Sequence, residues 1–276
     1  MAVVDRYAVV GNPVSHSLSP RIHEAFARDT GQSLRYDRIE APLDGFAETV
    51  QQFFAAGGRG LNVTVPFKGD AARWVDRRSD HAAFAKAVNT IVLEPDGSTT
   101  GHNTDGLGLM LDLERLLPAA RGDGRLRVLL LGAGGAARGV ARPLLEGLAR
   151  ELVIANRTLA RAEELVANLD EISDRPVTAV PFNKLDGGFD LVINATSAGL
   201  DDAVPTIEPA VIQGAFCYDM VYGGETAFCR WSRESGASAA ADGLGMLVAQ
   251  AAFAFKLWRG VRPDLEPVLS QLGAGS

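Results

Sequence analysis

Residues 126–158 constrain the fold more than any other stretch of the chain. Leu126 to Leu131 form a short apolar run of the kind buried on both faces of a sheet, and they lead directly into Gly132-Ala133-Gly134-Gly135. Ala136 to Ala149 then read as a helix and Leu152 to Ala155 as the next strand. Strand, glycine turn, helix and strand in this order form a dinucleotide-binding unit. Gly132 permits the tight turn out of the strand, Gly134 lets the backbone approach a pyrophosphate, and the helix start offers N–H groups and a positive dipole end to that anion. Ala137 is the third small position, where helix and strand pack closely.

The end of the second strand distinguishes between cofactors. An NAD site usually has an acid there for the ribose hydroxyls. This chain has Asn156-Arg157-Thr158, with Arg161 one turn on. A guanidinium pairs with a 2′-phosphate and a hydroxyl hydrogen-bonds to it, so the pattern favours NADP. The competing reading, a capping Asn156 and a solvated Arg157, explains neither the missing acid nor the second arginine.

The chain has 276 residues, enough for two domains, and is 47% hydrophobic. Its net charge of −7 argues against a nucleic-acid or anionic-membrane surface. No leading signal segment and no bilayer-length apolar run are visible, which places it in the cytoplasm. Cys217 and Cys229 read as core thiols, and His16, His23, His81 and His102 show no metal-ligand spacing, so no metal is expected. Only four of the 27 basic residues are lysines. Because Lys can give up its proton in a protein and Arg cannot, a lysine inside a candidate site stands out as an acid/base.

Along the chain, residues 6–11 read as a strand. Ser19-Pro20 then reads as a capped helix start reaching about Arg28, with Ser15, Ser17 and Ser19 clustered before it. Such a start attracts anions, but on this stretch alone a plain capped surface helix accounts for it slightly better. Tyr36–Ile39 is the second strand and 43–56 a helix. In the strand G-L-N-V-T-V, Leu61, Val63 and Val65 alternate with Asn62 and Thr64, giving one apolar and one polar face before Pro66, with Lys68 in the loop. That is either a cleft wall or an edge strand with a solvated lysine. Residues 82–93 pass from helix to strand at Asn89-Thr90, and Asp96-Gly97 turns a hairpin. Asp105 precedes an amphipathic helix at 107–117, where an N-cap is the simplest role for it. R-G-D-G-R at 121–125 is a polar hinge. Phe189–Ile193 is a buried strand ending in N-A-T-S-A-G, and Phe216–Tyr222 is a strand running into a loop. Thr226 begins a helix to about Glu234, and 236–240 form the last strand. Asp242-Gly243 opens a long helix that is apolar nearly all round and therefore buried. Gln250 within it needs partners, because an unpaired buried amide costs about 1–3 kcal/mol.

These segments together resemble the shikimate dehydrogenase family. The resemblance rests on GNPVSHSLSP (11–20), NVTVPFK (62–68), AVNT (87–90), GHNTDG (101–106), GAGGAARG (132–139), NRT (156–158), NATS (194–197), YDMVY (218–222) and ADGLGMLVAQAA (241–252), and it covers nearly the whole chain. It implies an α/β chain with two domains. Residues 1–105, completed by 243–276, would be the substrate-binding and catalytic domain, and 106–242 the NADP-binding Rossmann domain, with the C-terminal helix returning to the first.

The implied reaction is reversible NADPH-dependent reduction of 3-dehydroshikimate to shikimate, on the route to chorismate and the aromatic amino acids. Lys68 and Asp105 match the family's catalytic pair, and Ser17 and Ser19 the serines that hold the substrate carboxylate. Asn62, Thr64, Asn89 and Gln250 would surround the ring hydroxyls, with Tyr222 near the substrate. Gly132, Ala133, Gly134, Gly135, Ala136, Asn156, Arg157, Thr158, Arg161, Thr196, Met220 and Gly243 match cofactor positions. The partners implied are small molecules, with the chain a monomer or homodimer. A quinate/shikimate dehydrogenase and a non-catalytic sensor of NADPH or shikimate are the alternatives. The chain departs from the family after Tyr222, where G-G-E-T-A-F stands in place of prolines, which leaves the rigidity of that loop open.

Overall fold

The computed structural model describes residues 4–118, 126–196 and 203–273. The polar hinge 121–125 and the end of the N-A-T-S-A-G segment lie outside these residues. Residues up to Gly108, together with those from Val248 onward, form one compact unit, and Leu109–Leu247 form the other.

The first unit contains β1 (Asp5–Gly11), α1 (Ser19–Asp29), β2 (Leu34–Glu40), α2 (Phe46–Ala55), β3 (Gly58–Val63), α3 (Lys68–Trp74), β4 (Arg77–Arg78), α4 (Asp80–Ala85), β5 (Thr90–Leu93) and β6 (Thr99–His102). Its sheet runs β2-β1-β3-β5-β6-β4. β1, β2 and β3 are parallel, and β5 and β6 form the antiparallel hairpin turned at Asp96-Gly97. The period of two along β1 shows why both sheet faces are covered. Ala8 and Val10 join Phe46, Val50, Phe53, Leu61 and Phe67 in one core, while Tyr7 and Val9 join Val14, Tyr36 and Trp258 in another.

Three local expectations change. Lys68 is the first residue of α3, not a loop residue; seven residues with a glycine second carry too weak a pattern to read as a helix. Strand β3 ends at Val63, so the expected alternation stops there: Val65 is 59% exposed, while Asn62 is 5% exposed. Ser19 lies inside α1 rather than capping it. The position before it is Leu18, and the backbone N–H of Ser19 is taken by Ser17 Oγ at 3.3 Å.

The second unit is a fully parallel sheet, β12-β11-β10-β7-β8-β9, built from β7 (Leu126–Leu131), β8 (Ala149–Ala155), β9 (Val177–Val180), β10 (Leu191–Asn194), β11 (Phe216–Asp219) and β12 (Ala239–Ala241). α5 (Asp105–Leu116), α6 (Gly135–Gly147), α7 (Leu159–Asp170) and α8 (Ala227–Glu234) accompany it. Strand order reverses between β7 and β10, which makes this the doubly wound arrangement whose ligands lie beyond the carboxyl ends of the strands at the reversal. In β7, Val128, Leu129, Leu130 and Leu131 are all fully buried, as expected of a strand covered on both sides.

α9 (Leu244–Arg259) is buried over most of its length, and α10 (Glu266–Gly273), which carried no clear signal in the sequence, closes the first unit. Within that unit, Trp258 Nε1 donates to the carbonyl of Ile91 at 3.0 Å and the indole stacks on Tyr7 at 4.8 Å. Gly60 makes the approach possible, because a Cβ there would collide with the indole nitrogen. Gly60→Ala is therefore expected to displace Trp258 and lower stability by about 1–3 kcal/mol, the usual cost of overpacking. Urea unfolding of the variant, followed by tryptophan fluorescence, checks this.

Candidate active site

In the first unit, polar side chains from four segments meet around Asn89, at the changeover into β5. Lys68 Nζ donates to Asp105 Oδ2 at 2.6 Å, and Asn89 Nδ2 donates to Asp105 Oδ1 at 2.7 Å. Each carboxylate oxygen thus has its own nitrogen donor. Asn89 Nδ2 also reaches Thr104 Oγ1 at 2.9 Å and Gln250 Oε1 at 3.4 Å, while its Oδ1 accepts from the Thr104 N–H at 2.9 Å and from Thr90 Oγ1 at 3.0 Å. Asp105 is not an N-cap. It lies in the first turn of α5, and its own N–H is taken by Asn103 Oδ1 at 3.1 Å. This frees the carboxylate for Lys68. The main chain completes the frame: the Val88 N–H donates to the Lys68 carbonyl at 2.9 Å, tying the start of α3 to the residue before Asn89.

Asn62 is bound as fully. Its Oδ1 accepts from the Tyr36 hydroxyl at 2.7 Å, and its Nδ2 donates to the Asn89 carbonyl at 3.2 Å and to Thr90 Oγ1 at 3.1 Å. The Tyr36 hydroxyl also hydrogen-bonds Ser19, and burial holds the phenol well above its usual pKa. Ser17 Oγ donates to Ser19 Oγ at 3.2 Å, and both serines are buried. Thr64 turns its methyl toward Gly11, where a Cβ would collide with it. Ser17, Ser19, Asn62, Thr64, Lys68, Asn89, Asp105 and Gln250 therefore all belong to one unit, and hydrogen bonds join all of them except Thr64 into two linked groups.

The remaining candidates belong to the second unit. Gly132 has φ +106° and a Cβ there would come within 2.9 Å of the Ala195 carbonyl, so glycine is required. Gly134 precedes α6 without a side-chain cap, and a Cβ at Gly134 or Gly135 would meet nothing within 4 Å. Gly134, Gly135 and Ala136 are exposed while Ala133 and Ala137 are buried, so the uncapped start of α6 lies at the surface, where a diphosphate could approach it. At the end of β8, Asn156 Nδ2 donates to the Thr158 carbonyl at 2.8 Å. Arg157, Thr158 and Arg161 are exposed. Their guanidinium and hydroxyl groups are thus open to an anion such as a 2′-phosphate.

Next to the strand-order reversal, Asn194 Oδ1 holds the N–H and hydroxyl of Thr196 at 3.2 and 2.7 Å. Asp219 collects Asn194 Nδ2, the Val221 N–H and Thr226 Oγ1, and burial raises its carboxyl above the usual range. The Gly243 N–H donates to the Val221 carbonyl at 2.9 Å, and a Cβ on Gly243 would come within 2.5 Å of the Met220 carbonyl. The loop after Tyr222 therefore has an anchor in place of prolines: Thr226 caps α8 and is itself tied to Asp219. Tyr222 is half-buried, which raises its phenol. Among the described residues no group of three or more His, Cys, Asp or Glu is placed to hold a metal ion.

Three family models match the chain. The shikimate dehydrogenase substrate binding domain covers residues 9–91, shikimate / quinate 5-dehydrogenase covers 121–201, and the shikimate 5′-dehydrogenase C-terminal domain covers 243–272. A shikimate dehydrogenase (NADP(+)) from Alkalilimnicola ehrlichii is 53% identical over 98% of this chain and 99% of its own. The chain belongs to the shikimate dehydrogenase family. Among solved structures, an Ael1 enzyme from Pseudomonas putida matches with a TM-score of 0.91 at 46% identity, over 97% of this chain and 98% of that one. Shikimate 5-dehydrogenase from Thermus thermophilus, in complex with NADP(H) and shikimate, matches with a TM-score of 0.81 at 31% identity, over 95% and 96%. The matched shikimate dehydrogenase segments include Ser17 through Asn89, Gly132 through Thr196, and Gln250.

Tyr36, Thr90, Asn103 and Thr104 support this site and were not singled out in the sequence. Tyr36 was read only as the start of a strand, and Thr90 and Thr104 were seen only as neighbours of more polar residues. His23 was also missed as a structural element. It is fully buried and stacked on Tyr36 at 4.3 Å, and burial depresses it to about 3, opposed only by its approach to Asn62. A histidine depressed on folding takes up a proton more readily when unfolded, so stability falls as pH drops from about 6.5 toward 3, approaching about 1.4 kcal/mol per pH unit from this group. In urea titrations between pH 4 and 6.5, His23→Phe should flatten that slope. An unchanged slope would show that His23 does not set it.

Proposed function

We propose that this protein is an NADP-dependent oxidoreductase that interconverts 3-dehydroshikimate and shikimate, on the route to chorismate and the aromatic amino acids. The observation that carries the reading is the Lys68–Asp105 contact, held by Asn89 in a polar pocket of a family member. A non-catalytic sensor has no need of an ammonium fixed against a carboxylate.

In this reading the first unit takes the substrate and the second the cofactor. The hydroxyls of Ser17 and Ser19 receive the substrate carboxylate. Thr64, Lys68 and Gln250 face the ring hydroxyls, with Asn62 and Asn89 shaping the wall between them, and Tyr222 is assigned to the substrate as well. The turn at 132–136 takes the pyrophosphate. Asn156, Arg157, Thr158 and Arg161 take the adenosine phosphate, and Thr196, Met220 and Gly243 the nicotinamide end. When bound, NADPH supplies the hydride. The chain supplies the proton: Lys68 Nζ delivers it to the oxygen of the reduced carbonyl, and its positive charge stabilises negative charge developing there. Asp105 keeps the ammonium oriented, and Asn89 keeps Asp105 oriented. In the reverse direction Lys68 accepts the proton of the shikimate hydroxyl.

We place the enzyme in the cytoplasm. Its two buried cysteines are both unpaired, as a reducing compartment favours, and among the described residues no helix is long and apolar enough to cross a membrane. Its assembly is a monomer or a homodimer.

NADPH oxidation with 3-dehydroshikimate tests the reading directly, and its absence at micromolar enzyme would sink it. Lys68→Ala should lower kcat by roughly 10²–10⁴-fold, the usual share of a positioned acid, with NADPH affinity nearly unchanged. Arg157→Asp should weaken NADPH far more than NADH in fluorescence titrations. Equal losses would remove Arg157 from the phosphate site. Turnover of quinate with NAD as fast as shikimate with NADP would instead favour a quinate/shikimate dehydrogenase.

A further inference from the structure

A carboxylate pocket made only of hydroxyls is a poor anion site in an acidic protein. The chain carries a net charge of −7 with a pI of about 5.2, so its overall field opposes an anionic substrate. Ser17 adds a local difficulty, because its carbonyl oxygen lies beside the hydroxyls that would hold the anion and carries partial negative charge.

The structure places a cation at that point. Arg38 lies on β2, two residues beyond Tyr36 and therefore on the same face of the strand. Its Nε and Nη2 both donate to the Ser17 carbonyl, at 3.0 and 2.6 Å. Arg38 also helps stabilise the ionised form of the Tyr36 phenol, which places its charge within range of the Tyr36–Ser19 contact. Among the described residues no carboxylate pairs with Arg38, whereas the neighbouring Arg35 is paired with Asp37 at 2.9 Å. Arg38 is exposed apart from its contact with the Ser17 carbonyl, and Lys68, the cation among the other substrate candidates, is already offset by Asp105.

We propose that Arg38 is a specificity-determining residue that selects an anionic substrate. It neutralises the Ser17 carbonyl, fixes the turn that sets Ser17 and Ser19 side by side, and supplies the positive potential that the two hydroxyls lack. The inference rests on the reading that Ser17 and Ser19 receive the substrate carboxylate. A planar guanidinium suits the role, since two of its N–H groups converge on one carbonyl while the charge is delocalised over the whole group.

Three variants separate charge from geometry. Arg38→Gln keeps an N–H for the Ser17 carbonyl but removes the charge, Arg38→Lys keeps the charge with a single donor group, and Arg38→Met removes both. Each is assayed with shikimate and with its neutral methyl ester at low and high salt, with thermal melts as a folding control. Arg38→Gln should raise KM for shikimate about tenfold, a loss of about 1.4 kcal/mol of binding, with kcat within about threefold. Its KM for the ester should stay near wild type, and the salt dependence of kcat/KM should weaken. Arg38→Lys should recover most of the loss, and Arg38→Met should be at least as impaired as Arg38→Gln. A folded Arg38→Gln with unchanged KM for shikimate would overturn the proposal. So would equal losses for acid and ester, because Arg38 would then only hold the turn. If wild-type protein turns over neither compound, the functional reading fails before the role of Arg38 is reached.

Discussion

The side-chain amide of Asn89 is the joint on which the substrate half of this molecule depends. A buried carboxylate is costly unless donors reach its oxygens, and Asp105 has two, Lys68 on one oxygen and Asn89 on the other. The same amide fixes the Thr104 backbone immediately before Asp105 and reaches toward Gln250 on α9. One planar group therefore sets the position of the acid, the turn that presents it and the helix opposite. An amide can do this because it carries two donors and an acceptor in one plane, a combination that no hydroxyl or carboxylate offers.

Around that joint the pocket divides its labour. The amides of Asn62 and Asn89 are largely committed to protein partners, while the hydroxyls of Ser17, Ser19 and Thr64 and the ammonium of Lys68 have fewer. Rigid amides behind adaptable hydroxyls would, in the proposed reading, hold a polyhydroxylated ring without leaving buried donors unsatisfied when it departs. The second unit uses backbone instead. Gly132 turns with a positive φ, and the start of α6 is uncapped and lies at the surface. In the proposed reading an anion is held there by geometry common to any sequence able to make the turn, and the side chains of Asn156 to Arg161 would refine the choice of cofactor.

Much of this was legible in the sequence. The run from Leu126 to Ala155 combined a continuous apolar strand, a glycine turn and a second strand, and each level pointed to the same unit. Lys68, Asp105 and the serine pair were recognisable by motif. The roles of Tyr36, Thr104 and Arg38 were not, because a strand tyrosine reads as core, a threonine between Asn and Asp reads as turn, and an arginine alternating with acids reads as a wet edge. Their functions arise from pairing β2 with β1 and from the return of the chain to Asn89, and neither has a local signature. Lys68 was assigned to a loop for the same reason: α3 is short, and its packing, not its composition, makes it a helix. The alternation read through Val65 failed where β3 ended at Val63, because Pro66 follows too soon for the strand to continue.

The first unit is discontinuous in sequence, and that orders how the protein can be completed as it is made. Asn89 and Gln250 are 161 residues apart, Ile91 and Trp258 are 167, and Asp5 meets Arg259 near the far end of the chain. During vectorial synthesis the sheet of the second unit can pair all of its strands before α9 has emerged, while the first unit waits with the face around Tyr7 and Tyr36 uncovered. The cofactor half can thus mature first, and the substrate half is sealed only once α9 and α10 have followed it. A chain truncated before α9 would keep Lys68, Asp105 and both serines but would lack the helix that buries the surface beneath them.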